Sequence, residues 1–291
     1  MLTSLFSKYC VTEHLEMAFK AGLLVLALCI GSFAAPTGED DVSKFFNRGY
    51  SRIVGGTVAG SVPYMVALTS GLMFRSLVCG ASLITNRHVL TAAHCIESVY
   101  SYGSLSNNFR GVVGTNNFYT GGTVIEFVRN ITHPHYVSSI IKNDIGILVS
   151  RSNIALNNNV RLVGLNYDWI GAGVATTVTG WGRMGETGHI SYNLLQLNAR
   201  VVDGTQCVKD VARIAALVNK RVPVVQPHLE ICTLHSAGHS TCFGDSGGPL
   251  VRSDTTQQIG IVSWGVPCGH AAPDMFTRIS AYRDWIQENL R

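Results

Sequence analysis

The chain has 291 residues, of which 46% are hydrophobic and 14% are charged, and its formal net charge is +4 at pH 7. This composition excludes an intrinsically disordered protein, because it supplies enough apolar side chains to bury a large core. The positive charge is mild and spread along the chain, so nucleic acid is not an expected partner.

The amino-terminal region is typical of a secreted protein. The apolar stretch AGLLVLALCIGSFAA follows Lys20 and ends at Ala34 and Ala35, small residues suited to signal-peptidase cleavage. We therefore predict a signal peptide within residues 1–35, with Met17 as an alternative start because acidic residues precede it. A membrane anchor is the alternative interpretation, but a spanning helix needs about 20 apolar residues and this run ends too early. We expect a secreted, extracellular protein without membrane association once the signal is removed.

A short polar segment separates this leader from the rest of the chain. Residues 36–52, PTGEDDVSKFFNRGYSR, are rich in turn-forming residues and end at Arg52. They are typical of a pro-segment that is removed by cleavage after the arginine.

Six cysteines remain beyond the leader, at positions 79, 95, 207, 232, 242 and 268. An even number of cysteines in an oxidising compartment indicates three disulfides, although sequence alone leaves their pairing open. Metal ligation is the alternative, but it favours closely spaced CxxC pairs and the sequence has none. We expect neither a metal ion nor another cofactor.

The remaining sequence has the pattern of an all-β protein. Short alternating runs such as YMVAL, TVIEFV, ATTVTGW and QQIGIVSWG are separated by clusters of Gly, Asn and Ser. These runs predict a barrel or sandwich. Helical spacing of apolar residues occurs in VARIAALV, at residues 211–218, and in the final AYRDWIQENLR. We expect both helices to serve packing.

Three motifs carry the residue types that nucleophilic catalysis needs. TAAHC contains His94, NDIGIL contains Asp144 between apolar neighbours, and GDSGGP contains Ser246. A serine hydroxyl is a poor nucleophile until a base accepts its proton, so the three motifs are informative only together.

These motifs, with IVGG, TGWG and SWG in the same order from Ile53 to Arg291, resemble those of chymotrypsin-family serine proteases. The chain is similar in particular to chymotrypsin-like and collagenolytic digestive enzymes of insects and crustaceans. The resemblance implies an all-β protease domain over residues 53–291, built from two antiparallel six-stranded β-barrels and a short C-terminal helix. Barrel one is expected at about 53–165 and barrel two at about 166–291, with the active site between them.

The resemblance also implies the chemistry. Ser246 is expected to attack the scissile carbonyl, His94 to accept and return its proton, and Asp144 to fix the imidazole. The backbone N–H groups of Gly244 and Ser246 are expected to form the oxyanion hole. Because His94 must be neutral, a bell-shaped pH profile with an alkaline optimum is expected.

Substrate binding is assigned by the same resemblance. Ser263 is expected to bond the catalytic aspartate, and Trp264 and Gly265 are expected to hold the substrate as an added strand. Ser240 is expected at the base of the primary pocket, where serine accepts apolar side chains. Asp274 stands on the pocket wall, where it could narrow the pocket, attract Arg and Lys, or turn into a polar network. We favour an apolar or broad preference.

The family resemblance further implies activation from a zymogen. A trypsin-like protease would cleave after Arg52, and the freed amino group of Ile53 would insert beside Asp245. The implied disulfides join Cys79 with Cys95, Cys207 with Cys232, and Cys242 with Cys268. The loop between Cys207 and Cys232 is longer than usual, because it contains KRVPVVQPHLE.

The expected partners are protein and peptide substrates, the activating protease and protein protease inhibitors, and the expected state is a monomer. A digestive role, including secretion to a gut lumen, follows from analogy. The alternatives are a protease-like binding protein without catalysis and a cascade protease with strict Arg specificity.

Asn130 in NIT is a candidate glycosylation site. His133 and His135 are interpreted as loop residues, because no third metal ligand is spaced to join them.

Overall fold

The computed structural model describes residues 55–185, 188–266 and 268–291. The predicted signal peptide and pro-segment, together with Arg52 and Ile53, lie outside the described residues. The strands of the described part are β1 (Thr57–Val58), β2 (Met65–Ser70), β3 (Ser76–Leu83), β4 (His88–Thr91), β5 (Tyr100–Ser101), β6 (Ser104–Leu105), β7 (Phe109–Val113), β8 (Thr123–Ile125), β9 (Phe127–Thr132), β10 (Gly146–Ser150), β11 (Ala175–Gly180), β12 (Leu195–Val201), β13 (Glu230–Leu234), β14 (Pro249–Arg252), β15 (Gln258–Trp264) and β16 (Asp274–Arg278).

Helices of the described residues are short and few. They are α1 (Ala93–Glu97), α2 (Gly204–Leu217) and α3 (Arg283–Asn289), with 3-10 turns at Ser138–Ile140 and Ile279–Tyr282. Across the described part of the chain, none has the length and apolar character needed to cross a bilayer.

The second half of the chain forms a closed six-stranded barrel. Its order is β12-β11-β14-β15-β16-β13, and the pairing of Val201 with Thr233 joins β12 to β13 and closes the ring. Strand β1 attaches outside the ring, where Thr57 pairs with Gln196. The predicted all-β architecture is therefore confirmed in this half.

The first half forms a curled sheet with the order β8-β7-β2-β3-β4-β10-β9. Its two edge strands are consecutive in the chain, because β8 ends at Ile125 and β9 begins at Phe127. The predicted run TVIEFV is thus divided at Glu126 into β8 and β9. Chain continuity joins these two edges, which are not paired with each other within the described residues. Burial explains the curl, since the inner residues Leu68, Leu83 and Ile147 are fully inaccessible to solvent.

The two predicted helices are present with different bounds. Helix α2 begins at Gly204 rather than near residue 211, because the Asp203 carboxylate caps it by accepting from Thr205 N at 2.9 Å and Gln206 N at 3.0 Å. In the C-terminal segment Tyr282 and Ile286 are buried in the same apolar cluster as residues of the first sheet.

A buried ion pair connects the two sheets. Lys142, just before β10, places Nζ 2.6 Å from Oε1 of Glu230 in β13, and their side chains are only 5% and 6% exposed. The same oxygen accepts the indole N–H of Trp264 at 2.7 Å, and the ammonium lies 5.1 Å from that ring's centroid. The pair therefore joins the loop that precedes Asp144 to β13, and the indole hydrogen bond extends this connection to Trp264 in β15.

Breaking this pair on one side is expected to destabilise the protein strongly. Lys142→Met leaves an uncompensated buried carboxylate and should lower the free energy of unfolding by about 3–5 kcal/mol. The double variant Lys142→Met/Glu230→Gln should recover part of the loss, because it removes both charges and keeps an acceptor for Trp264. Urea unfolding of the three proteins measures this; a change below about 1 kcal/mol for Lys142→Met would contradict it.

Candidate active site

His94 is held in place by one carboxylate through two contacts. Strand β4 leads directly into helix α1, and His94 is the second residue of that helix. Its backbone N–H donates to Asp144 Oδ1 at 2.9 Å, and its ring Nδ1 lies 2.8 Å from Asp144 Oδ2. Because a carboxylate only accepts, Nδ1 carries a proton and Nε2 is left as the basic nitrogen.

Asp144 is the hub of this arrangement and is only 1% exposed. Besides the two donors of His94, it receives the hydroxyl of Ser263 at 2.6 Å, as expected for that serine. Its backbone carbonyl accepts from Thr277 Oγ1 at 2.8 Å. Asn143 beside it is in the left-handed region with φ of 54°. The loop geometry is thus set by contacts from both sheets.

The surroundings adjust the basicity of His94. Burial lowers the pKa of the imidazole, but the hydrogen bond that the ring donates to Asp144 and the charges of Asp144 and Glu97 outweigh burial, so the net pKa is raised above its ordinary value. This is the direction required of a base that must stabilise an imidazolium.

Ser246 lies in a tight loop that is fixed to both sheets. Its carbonyl accepts from Gly80 N in β3 at 2.8 Å, and Gly247 N donates to Val262 O in β15 at 2.8 Å. Gly247 has φ of 78°, and a Cβ there would overlap Thr91 Oγ1. Within the described residues no hydrogen bond joins Ser246 Oγ to His94. Such bonds are often long without substrate and shorten in the reactive complex.

The loop also offers two free amide donors. Among the described residues, neither Gly244 N nor Ser246 N donates to another protein group. Gly244 has φ of 102°, and a Cβ there would lie 3.1 Å from Gly182 Cα and 3.2 Å from Leu77 Cδ2. Glycine is therefore required, and the two N–H groups are available to an oxyanion.

Asp245 is completely buried under this loop. Its oxygens accept from Gly182 N at 2.8 Å and Cys242 N at 2.9 Å. Burial raises the pKa of this carboxyl to about 6, against the opposing effect of the two backbone hydrogen bonds. The TGWG motif has a reason here: a Cβ on Gly180 or Gly182 would collide with the carboxylate. Ile53, its expected partner, lies outside the described residues.

Three disulfides brace the site. The structure pairs Cys79 with Cys95, Cys207 with Cys232, and Cys242 with Cys268, the pairs that the family resemblance implies. The first pair lies beside His94, with Cys95 Sγ 3.6 Å from Nε2. Although these atoms are grouped like metal ligands, the sulfurs are consumed in the disulfide and supply no thiolate.

The expected primary pocket is formed by the segments that the third disulfide joins. Ser240 is buried, and its hydroxyl accepts from Gly269 N at 2.8 Å. Asp274 begins β16 and accepts from Thr241 N through Oδ2 at 2.8 Å. Its Oδ1 lies 3.7 Å from the position of a Cβ on Gly265. Burial raises the pKa of Asp274 to about 7, while hydrogen bonds from Thr241 act in the opposite direction.

Several supporting residues were not predicted. Glu230 and Lys142 position Trp264, and Thr277 bonds the main chain at Asp144. A charged residue inside an apolar segment, such as Glu230 in LEICTL, indicates a buried ion pair. The sequence does not show which residue is the partner, because Lys142 is 88 residues away.

The structure places the other expected residues, Asn130, His133 and His135, in strand β9 and directly after it. Asn130 is partly exposed in edge strand β9, a position open to modification, and its glycosylation stays a prediction. The rings of His133 and His135 are 5.8 Å apart, and His133 also packs against Tyr282 and Trp285. That packing gives His133 a structural role between β9 and the C-terminal segment.

Comparison with known proteins supports one family. The trypsin family model matches residues 53–286. The chain is 34% identical over 241 residues to "Chymotrypsin" of Phaedon cochleariae, covering 79% of this chain and 78% of the relative. It is 33% identical over 270 residues to "Trypsin" of Xenopus laevis, covering 91% and 98%, and 35% identical over 240 residues to "Chymotrypsin-2" of Vespa crabro, covering 81% and 99%. The chain belongs to the trypsin family of serine proteases.

Proposed function

We propose that this protein is a secreted serine endopeptidase, made as an inactive precursor, which hydrolyses peptide bonds with His94, Asp144 and Ser246. One observation carries the proposal: the hydrogen-bonded series from Ser263 through Asp144 to His94 lies beside a glycine loop with two free amide donors. Relatives named chymotrypsin and trypsin support the same reaction class.

The chemistry follows from these groups. Ser246 Oγ attacks the scissile carbonyl carbon while His94 Nε2 takes its proton, and Asp144 stabilises the imidazolium that forms. The N–H groups of Gly244 and Ser246 stabilise the negative oxygen of the tetrahedral intermediate. The imidazolium then protonates the leaving amine, which leaves an acyl-enzyme. Water attacks the acyl-enzyme with His94 again as base, releasing the acid and restoring Ser246.

An apolar or broad preference for the residue before the scissile bond fits the pocket. Ser240 offers no charge, and Asp274 is partly satisfied by Thr241. Because the pKa of Asp274 is about 7, its carboxyl is largely neutral in mildly acidic solution and largely charged in alkaline solution. Its second oxygen lies toward Gly265, where a basic side chain could reach it.

Activation is proposed to act through Asp245. Cleavage after Arg52 would free the α-amino group of Ile53, whose positive charge would compensate the buried carboxylate. Because Asp245 and Ser246 are adjacent, that ion pair would order the loop that carries both oxyanion donors. A digestive role in a gut lumen is part of the proposal by analogy with the digestive enzymes that the sequence resembles.

Removing the nucleophile is expected to abolish hydrolysis. In protein cleaved after Arg52, Ser246→Ala should lower kcat by about 10⁶-fold, as for single losses in other Ser-His-Asp hydrolases. The exposed Ser253→Ala is a matched control that should keep full activity.

The pH profile of kcat/KM for the wild-type protein should have an acid limb whose midpoint lies above the ordinary histidine pKa. The pKa of His94 is raised, and activity is lost as pH falls through it. A midpoint well below that value would contradict this account.

The substrate preference is expected to depend on pH through Asp274. The ratio of kcat/KM for matched peptides with Arg and Leu before the scissile bond should rise as pH increases through about 7, because Asp274 then ionises. Asp274→Asn retains an acceptor for Thr241 N and should make the ratio constant. A constant ratio in the wild type from pH 5 to 9 would show that Asp274 does not act on the substrate.

Cleavage after Arg52 is expected to stabilise the fold in a pH-dependent manner. In the uncleaved chain the pKa of Asp245 is raised from about 4 to about 6, because the buried site favours the protonated carboxyl. The folded protein therefore loses stability relative to the unfolded chain as pH rises from about 4 through about 6. The new ammonium should reverse that penalty, so the Tm difference between cleaved and uncleaved protein should grow through pH 6. It should shrink again as pH rises above about 8, the ordinary pKa of a free α-amino group, and through the higher pKa of the ammonium paired with Asp245. Asp245→Asn should remove both trends; equal Tm values at all pH would count against the ion pair.

A further inference from the structure

The segment KRVPVVQPHL, at residues 220–229, has no part in the catalytic arrangement, and it runs back beside helix α2. The chain turns after the helix at Asn219, whose φ is 52°. Pro227 then lies against the start of the helix, where a Cβ on Gly204 would be only 2.6 Å from Pro227 Cβ. The 14-residue helix is about 21 Å long, and an extended chain covers about 23 Å from residue 220 to residue 227. The segment therefore returns along the whole length of α2.

The inner side of this helix and the returning segment is firmly packed. Val211 and Ile214 of α2 and Val225 of the segment are buried in one apolar cluster, which also contains Trp264 and Met275. The outer side is therefore a fixed surface of the folded protein, and the strand that carries Trp264 lies behind it.

The outer side carries four cations and two aliphatic side chains, all of them exposed. They are Lys209, Arg213 and Leu217, spaced by four residues on one face of α2, and Lys220, Arg221 and Val224 on the returning segment. The exposed fraction is 62% for Leu217 and 76% for Val224. Exposed apolar side chains that are rimmed by polar groups mark binding sites. We call these six side chains the α2 surface.

The positive charge of the α2 surface is only slightly compensated by its neighbours. From Val211 to Leu229 the sequence has no Asp or Glu. The acidic residue of α2 is Asp210, whose Oδ1 lies 3.6 Å from Arg213 Nη2. The other three cations form no ion pair with a described residue. The local field therefore attracts a negatively charged partner.

The combination of charge and apolar surface selects the class of partner. A sulfated polysaccharide would pair with the cations, but it brings no apolar side chain to Leu217 and Val224. Anionic lipids are concentrated in the cytoplasmic leaflet of membranes, which a secreted protein does not meet. A polypeptide supplies carboxylates and apolar side chains together, as protein interfaces commonly do.

We propose that the α2 surface docks an acidic segment of a partner protein, with an apolar side chain of that segment packed against Leu217 and Val224. This inference goes beyond the proposed hydrolysis. It uses the proposed secretion only to choose among anionic partners.

The test uses protein that carries Ser246→Ala, so that the probe stays intact. The probe is a fluorescently labelled synthetic peptide in which single phenylalanines alternate with pairs of glutamates. Its binding, measured by fluorescence anisotropy, should weaken with added salt. Lys220→Gln/Arg221→Gln should raise Kd about tenfold, or about threefold for each exposed ion pair. Lys220→Arg/Arg221→Lys retains both charges and should retain the affinity.

A control variant separates this surface from the net charge of the protein. Arg129→Gln/Arg161→Gln removes two positive charges from exposed positions in the first half of the chain and should leave Kd nearly unchanged. All the variants replace exposed side chains, so their Tm should equal that of the parent protein. An equal rise of Kd in the control and in Lys220→Gln/Arg221→Gln would overturn the proposal.

A second peptide tests the apolar contact at constant charge. With serine in place of each phenylalanine it should bind more weakly, and Leu217→Gln/Val224→Thr should remove the difference between the two peptides. Equal Kd values for both peptides in the parent protein would overturn the proposal. Binding of dextran sulfate, or of vesicles containing phosphatidylserine, without binding of the phenylalanine peptide would overturn it in favour of a polysaccharide or a lipid. Because the protein used lacks the nucleophile, these outcomes do not depend on the proposed hydrolysis.

Discussion

The carboxylate of Asp144 is the interaction on which the rest of the site depends. It receives two N–H groups of His94 and the hydroxyl of Ser263, so one buried charge fixes the position, tautomer and basicity of the histidine. A buried carboxylate is tolerated only with such donors, because desolvation of an isolated charge is costly. The fold meets this requirement by placing the loop before β10 against β15 and β16, so that each sheet supplies part of the hydrogen bonding.

Two further buried carboxylates, those of Asp245 and Asp274, accept fewer hydrogen bonds than Asp144 does. Asp245 is adjacent to Ser246, and Asp274 contacts Thr241 in the segment that leads to Ser246. Asp245 has two backbone donors and a pKa raised to about 6, and Asp274 has Thr241 as its donor and a pKa raised to about 7. Incomplete compensation makes each group responsive to a new positive charge. For Asp245 that charge would be the amino group formed by cleavage, and for Asp274 it would be a basic side chain of the substrate. The same physical property would thus serve activation in one place and specificity in the other.

Features that depend on residues close together in the sequence could be predicted from it, whereas features that depend on residues far apart could not. Short motifs identified His94, Asp144 and Ser246, and alternation of apolar residues predicted the β architecture, because both signals are local. The start of helix α2 was placed too late, since its boundary depends on the Asp203 cap rather than on apolar spacing. The division of the run TVIEFV at Glu126 into β8 and β9 was not foreseen. The Lys142–Glu230 pair was missed because 88 residues separate its members, so that only the packing of the two sheets brings them together.

The central claim is that Ser246 is a nucleophile activated by His94. Its most direct test is mass spectrometry of protein cleaved after Arg52 and treated with an organophosphorus fluoride, a reagent that phosphorylates activated serine hydroxyls with loss of fluoride. The account predicts one adduct per chain, located on Ser246, and its absence from the His94→Ala variant. A folded, cleaved protein that forms no adduct, or that reacts equally well without His94, would contradict the assignment of this site.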